Sequence, residues 1–167
     1  QCRFICRDLP GHMAEHVRSR NIDVEVLPLL APYTQQESGC DGAGWHQVEQ
    51  KQDATESIRH LPAPCDLLVV DHYGLDKTWE CEVVEHCERL VVIDDLCRPH
   101  IADFLIDQTY GRTQAAYENS EVKTVLAGEQ YALLRLAFYK LHEESIRRHP
   151  PSRHRLLISM GGYDPLN

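Results

Sequence analysis

The sequence predicts an α/β fold built on a doubly wound parallel sheet. Two observations carry that prediction. First, apolar runs end in acids: Asp66–Gly74 reads Asp-Leu-Leu-Val-Val-Asp-His-Tyr-Gly, Arg89–Asp95 reads Arg-Leu-Val-Val-Ile-Asp-Asp, and Asp103–Asp107 is a shorter example. Unbroken runs of Leu, Val and Ile suit strands covered on both faces, as parallel sheets require. Second, helical segments separate these runs at spacings that imply right-handed β-α-β crossovers. Polar side chains then collect along the edge where the strands end, which is where α/β proteins bind ligands.

Taken in order, residues 2–6 read as a strand in which Cys2, Phe4 and Cys6 share one face as core residues. Leu9-Pro10-Gly11 turns the chain into a helix over His12–Arg20, with Met13, His16 and Val17 on one side. Asp23–Leu27 alternates polar and apolar residues and suits a strand nearer the sheet edge. From Ala31 to Gln52 the chain is polar, with scattered glycines and no period, and reads as a long loop or insertion. Asp53 caps a helix through Leu61, and Pro62-Ala63-Pro64 leads into Asp66–Gly74, the central strand. Asp76 caps a helix to about Cys87 with Trp79, Val83 and Val84 inward. Glu121–Gly128 is a further strand, Tyr131–Leu136 an irregular apolar segment, and Phe138–Arg148 a helix. The basic, proline-broken run 147–153 marks a boundary. Arg155–Met160 then reads as another buried strand, and Asp164-Pro165 as the start of a helix.

With 167 residues the chain can hold one domain with a proper core but not two full ones. Its 43% apolar and 26% charged residues are ordinary for a globular protein. The net charge of −9 argues against a nucleic-acid partner, which needs a clustered basic face. No run approaches the roughly twenty apolar residues of a membrane helix, and residues 1–20 lack the order of a signal peptide. A cytoplasmic protein with no membrane partner is expected. The chain opens on Gln1 and enters an apolar stretch at once, which reads as a start in mid-domain.

Seven cysteines without a Cys-x-x-Cys pair, in a chain without a secretion signal, are expected to be reduced. Cys81, His86, Cys87, Cys97 and His100 fall in one region, but their spacings match no structural zinc pattern. Asp94 and Asp95 are adjacent on a strand, so they point to opposite faces and are poorly placed to chelate one ion. One is expected to cap a helix and the other to face the crevice. Neither a metal nor a cofactor is expected.

Asp71, His72 and Tyr73 stand together where the central strand ends, and they form the candidate site. Local capping by Asp71 and local hydrogen bonding by His72 and Tyr73 are the plain alternative. A second candidate is the strand end at Gly161 and Gly162, followed by Asp164. Two glycines before a helix start let backbone N–H groups approach a pyrophosphate, although Gly-Gly at a strand end is also an ordinary tight turn. The pair of strand ends suggests a nucleotide-sugar cleft between two Rossmann-like domains.

Six segments in order strengthen that reading: Cys6-Arg7-Asp8-Leu9-Pro10-Gly11, Asp71-His72-Tyr73-Gly74, Ile93-Asp94-Asp95-Leu96, Asp107-Gln108, Gly128 with Tyr131-Ala132-Leu133-Leu134-Arg135 and Phe138, and Ile158-Ser159-Met160-Gly161-Gly162-Tyr163-Asp164. Together, over nearly all of the chain apart from the polar insertion, they resemble the UDP-2,4-diacetamido-2,4,6-trideoxy-β-L-altropyranose hydrolases of pseudaminic-acid biosynthesis. Those enzymes are relatives of spore-coat polysaccharide proteins. The resemblance implies a glycosyltransferase-B-like fold of two domains with the substrate between them. Residues 1–148 would be an N-terminal Rossmann-like domain lacking its first strand and loop, and 149–167 a linker and the first strand of a truncated C-terminal nucleotide-binding domain. It also implies metal-independent hydrolysis of a UDP-linked sugar at the anomeric carbon.

In that family a histidine in a Gly-x-Gly-His loop near the amino terminus acts as the base, and this chain begins after the matching position. Neither His12 nor His16 aligns with it. Tyr73 matches a tyrosine that contacts the reacting region and is expected to position water or sugar. Asp71 and His72 are expected to shape the loop, and Gly161 and Gly162 to face the diphosphate. The 167 residues alone are therefore expected not to turn over substrate. The rival readings are a sugar transferase of the same fold, a non-catalytic nucleotide-sugar-binding module and a zinc-binding interaction domain.

Overall fold

The computed structural model describes residues 2–9, 11–29 and 49–147. The fold is mixed α/β with parallel strands throughout, consistent with a Rossmann-like architecture. The chain divides into two units, Gln1–Ala132 and Leu133–Asn167.

In the first unit, β1 (Arg3–Arg7) pairs in parallel with β2 (Asp23–Leu27), with Phe4 opposite Val24 and Cys6 opposite Val26. Between them lies α1 (Ala14–Arg18), shorter than the helix expected over His12–Arg20. The His12 ring accepts the Ala14 N–H (3.3 Å), so His12 stands before the helix, and Met13 is exposed. Downstream, Asn21 adopts φ 58°, a left-handed conformation that cannot continue a helix. The expected core role of Cys2 and Cys6 also fails. Cys2 is exposed and Cys6 only half-buried, because the face they share with Phe4 is not packed against another layer among the described residues.

The helix expected from Asp53 begins earlier, as α2 (Gln50–Ile58), with the Glu49 carboxylate accepting the Gln52 N–H (3.1 Å). Helix therefore extends into the last residues of the polar stretch 31–52, whose positions up to 48 lie outside the described residues. Asp53 is not a cap. It turns inward to accept hydrogen bonds from Arg7 Nε (2.8 Å) and Trp79 Nε1 (2.8 Å), a tertiary task that takes its carboxylate away from its own backbone.

The second sheet has the order β3 (Leu68–Asp71), β4 (Leu90–Ile93), β5 (Ile101–Asp107) and β6 (Glu121–Ala127). The strand read as central, β3, is therefore an edge strand among the described residues. It is short because Asp66 and Leu67 precede the pairing, which starts at Leu68 N–H donating to the Arg89 carbonyl (2.9 Å). Between β3 and β4 comes α3 (Lys77–Val83), continued by a single 3-10 turn to His86. As expected, Asp76 caps it, accepting the Thr78 N–H (2.8 Å), and Trp79 and Val83 are buried. The core joins Ala54 of α2, Trp79 and Val83 of α3, and Val70, Leu90, Val92 and Ala102 of the strands. Helices α2 and α3 are further tied by Gln50, whose Oε1 accepts the N–H groups of Asp76 (3.1 Å) and Trp79 (3.2 Å).

In the second unit, α4 (Leu136–Arg147) closely follows the helix expected over Phe138–Arg148, and Arg135 places its guanidinium 5.6 Å from the Phe138 ring centre. The strand expected at Arg155–Met160 lies outside the described residues. Among the described residues no helix is long and apolar enough to cross a membrane.

Candidate functional site

Parallel pairing brings the ends of β3, β4, β5 and β6 to one edge. Asp71 aligns with Ile93, Ile93 with Ile106, and Asp107 with Ala127, so Asp71, Asp94, Asp95 and Asp107 gather there as the apolar runs required. Their environments then separate them. Asp71 and Asp95 are exposed, whereas Asp94 and Asp107 are buried.

Tyr73 stands 43% exposed just past β3, and its hydroxyl donates to Asp95 Oδ2 (3.3 Å) beyond β4. Burial, then the Asp95 carboxylate and the charges of Asp71 and Asp94, push the Tyr73 phenol above its ordinary value. Tyr73 is thus held protonated near neutral pH and can orient a neighbouring oxygen, but it is not a base. The His72 ring folds back so that Nδ1 accepts the Gly74 N–H (3.0 Å). That bond ties the turn after β3 to the His72 ring. Gly161, Gly162 and Asp164 lie outside the described residues.

Beneath this surface is a buried charged network that the sequence did not reveal. His100, fully buried, places Nδ1 2.6 Å from Glu80 Oε1 and Nε2 3.3 Å from Asp94 Oδ2. The second approach is an ion pair without hydrogen-bond alignment. Glu80 spends its other oxygen on the Ile101 N–H (2.8 Å). Burial alone would lower the His100 pKa, but the carboxylates of Asp94 and Glu80 raise it to about 9. Burial would raise Asp94, yet His100 and Arg98 bring it down to about 2. An imidazolium held between two carboxylates is the state these distances favour.

Asp94 also accepts the Leu96 N–H (3.0 Å) and both Nε and Nη2 of Arg98. It therefore caps a turn, not the helix expected of one of the paired acids: no helix lies between β4 and β5, and Cys97 in that turn holds φ 56°, which a helix cannot continue through. Arg98 extends the network outward, donating from Nη1 to the Tyr73 carbonyl (2.6 Å). A second branch joins Tyr117, whose hydroxyl lies 2.9 Å from both the Asp94 carbonyl and Asp107 Oδ2. Arg112 reaches Asp107 (2.6 Å) and the Asp95 carbonyl (3.1 Å), and with Thr109, Tyr110 and Gly111 it lines a hollow of about 270 Å³.

The loops after β3, β4 and β5 are consequently locked to one another from below, while Tyr73, Asp71 and Asp95 face outward. Glu80, Arg98 and Tyr117 carried no motif. The one available signal was His100 lying shortly after the paired acids. Among the described residues no three His, Cys, Asp or Glu side chains are placed to hold a metal ion. His100, a member of the imagined zinc set, is instead committed to Glu80 and Asp94, and Cys81 is exposed.

No family model matches the chain. It is 28% identical over 127 residues to an uncharacterized protein of Methanocaldococcus jannaschii, an alignment covering 72% of this chain and 26% of that protein. The chain thus spans about a quarter of the length of this relative.

Proposed function

We propose that the protein to which these residues belong hydrolyses a UDP-linked diacetamido-trideoxy sugar at its anomeric carbon, releasing UDP and the free sugar for nonulosonic (pseudaminic) acid biosynthesis. The observation that carries this reading is the hydrogen bond from Tyr73 to Asp95 at the carboxyl edge of the parallel sheet. It supports the reading because hydrolysis of so good a leaving group asks mainly for a positioned water and a stabilised diphosphate. Together with the six segments that resemble the family, it favours a crevice at this edge, completed by a second domain in a glycosyltransferase-B-like arrangement.

In the reaction, water attacks the anomeric carbon, the bond from that carbon to the leaving oxygen breaks, and the diphosphate departs with the electron pair. The water proton goes to a base expected upstream of Gln1. Tyr73, protonated and aimed by Asp95, orients the water or the sugar. Asp71 and the His72 turn shape the sugar side, and Gly161, Gly162 and Asp164 would meet the diphosphate. No cofactor or metal enters this scheme, and the substrate would be met in the cytoplasm.

The test is UDP release from such a nucleotide sugar by the protein expressed from its natural start. Turnover should appear there and be absent in the 167-residue chain. Replacing Tyr73 by Phe should slow it by roughly 10- to 100-fold, the size expected for losing one orienting hydrogen bond. UDP binding without turnover would favour a non-catalytic sugar-nucleotide module, and sugar transfer to an acceptor other than water would favour a transferase. Catalysis by the 167 residues alone would show that the base has been misplaced.

A further inference from the structure

The loop after β5 encloses the hollow of about 270 Å³ lined by Thr109, Tyr110, Gly111, Arg112, Thr113 and Ala116. Two short turns set its shape. Asp107 accepts the Thr109 N–H (2.9 Å), the Arg112 N–H donates to the Thr109 carbonyl (3.1 Å), and Gly111 takes φ 71°, the left-handed conformation that suits glycine. Glu129 holds the Gly111 N–H (3.1 Å). The next wall is the 3-10 turn Gln114–Tyr117, tied to β6 by Gln114 Nε2 donating to the Val125 carbonyl (3.0 Å) and to the sheet edge by the buried Tyr117 hydroxyl. Bonds within the walls keep the space open, so a ligand meets a formed site.

The lining selects among ligands. Tyr110 is 86% exposed, and neither its hydroxyl nor that of Thr113 has a hydrogen-bond partner among the described residues. Beside Tyr110 no apolar side chain larger than Ala116 lines the hollow, so a wholly apolar ligand would find little to bury against. A phosphate is disfavoured because the Arg112 charge is already taken up by Asp107, 2.6 Å from Nε. A cation is disfavoured because no carboxylate belongs to the lining. A neutral ring with one apolar face and polar edges satisfies what is left: the C–H groups of a pyranose lie flat on an aromatic ring, while its edge oxygens accept from Arg112 and Thr113. The volume is below the roughly 300–1,000 Å³ of sites for drug-sized ligands, which suits a single ring.

Asp95 joins this hollow to Tyr73. Its carboxylate accepts the Tyr73 hydroxyl (3.3 Å), and its carbonyl accepts Arg112 Nη2 (3.1 Å). We infer that the hollow is a sugar subsite beside Tyr73, holding one neutral pyranose ring stacked on Tyr110 and hydrogen-bonded by Arg112 and Thr113. That the ring is a diacetamido-trideoxy sugar rests on the hydrolase reading; that this loop holds a neutral sugar ring does not.

Titration of the isotopically labelled whole protein with N-acetylglucosamine, an uncharged acetamido sugar, tests the subsite by nuclear magnetic resonance. The backbone amides of Gly111, Arg112 and Thr113 should shift and saturate. Tyr110→Ala removes only an exposed ring, so the variant should keep its fold and bind about 2- to 10-fold more weakly, the size of one aromatic contact, whereas Tyr110→Phe should bind like the parent. No shift in this loop, or an equal titration in Tyr110→Ala, overturns the subsite, as does a preference of the loop for inorganic phosphate or choline over the sugar. The subsite and the hydrolase reading fail separately. If the loop binds the sugar and the protein releases no UDP, the subsite stands without hydrolysis. If UDP is released with KM unchanged in Tyr110→Ala, hydrolysis stands and the subsite falls.

Discussion

His100 has no exposed surface, and its charge is held by Glu80 on one side and Asp94 on the other. Such a group makes stability depend on pH. Its folded pKa of about 9 lies above the ordinary 6.5, so the stabilisation is complete below pH 6.5 and disappears as pH rises through 9. Asp94 works in the opposite sense: at about 2, below the ordinary 3.8, its contribution is present above 3.8 and is lost as pH falls through 2. Urea midpoints should therefore be highest between about pH 4 and 6.5 as far as this pair is concerned, and fall on the alkaline side as His100 loses its proton. His100→Gln should flatten that alkaline limb. An unchanged limb in the variant would assign it to other groups. His100→Ala leaves the buried Glu80 carboxylate without its cation and Asp94 with Arg98 alone, and should cost about 3–5 kcal/mol, measured by the same denaturation at pH 6.

Helix α3 shows what an element needs from its own sequence and what it takes from others. Asp76 supplies the cap, and Trp79 and Val83, four residues apart, put their side chains on one face. That much was legible, because capping and spacing are local. Asp76→Ala should destabilise by about 1 kcal/mol, and Trp79→Ala by about 3–5 kcal/mol, both read from the urea midpoint. The second figure includes more than apolar area, since the Trp79 ring N–H also donates to Asp53. Helix α2 begins earlier than its sequence suggests for that same reason. Asp53 looks like a cap in the sequence, but a carboxylate paired with Arg7 (2.8 Å) and Trp79 has no oxygen committed to its own helix end, and Glu49 takes the task. The turn after β4 behaves likewise. Cys97 holds φ 56°, a conformation costing on the order of 1 kcal/mol or more for a residue other than glycine, and the Arg98 bonds to Asp94 and Tyr73 hold it in place.

At the scale of the molecule, the network under the sheet edge couples the loops that the proposed chemistry would use. Arg98 joins Asp94 to the Tyr73 carbonyl, so Arg98→Ala should loosen the Tyr73 turn without touching the Tyr73 hydroxyl. Under the proposed hydrolysis, that variant of the whole protein should lower UDP release less than Tyr73→Phe does. The reverse order would place Arg98 in contact with substrate. Sequence alone determined the apolar runs, the acids that end them, and hence a parallel sheet with polar groups along one edge, because strand burial and strand termination are written in consecutive residues. Which acids are buried and paired, that Glu80 and His100 meet across twenty residues of chain, and that β3 is an edge strand among the described residues were decided only by tertiary structure. Burial and pairing depend on what lies across the fold, and no local pattern encodes the neighbour.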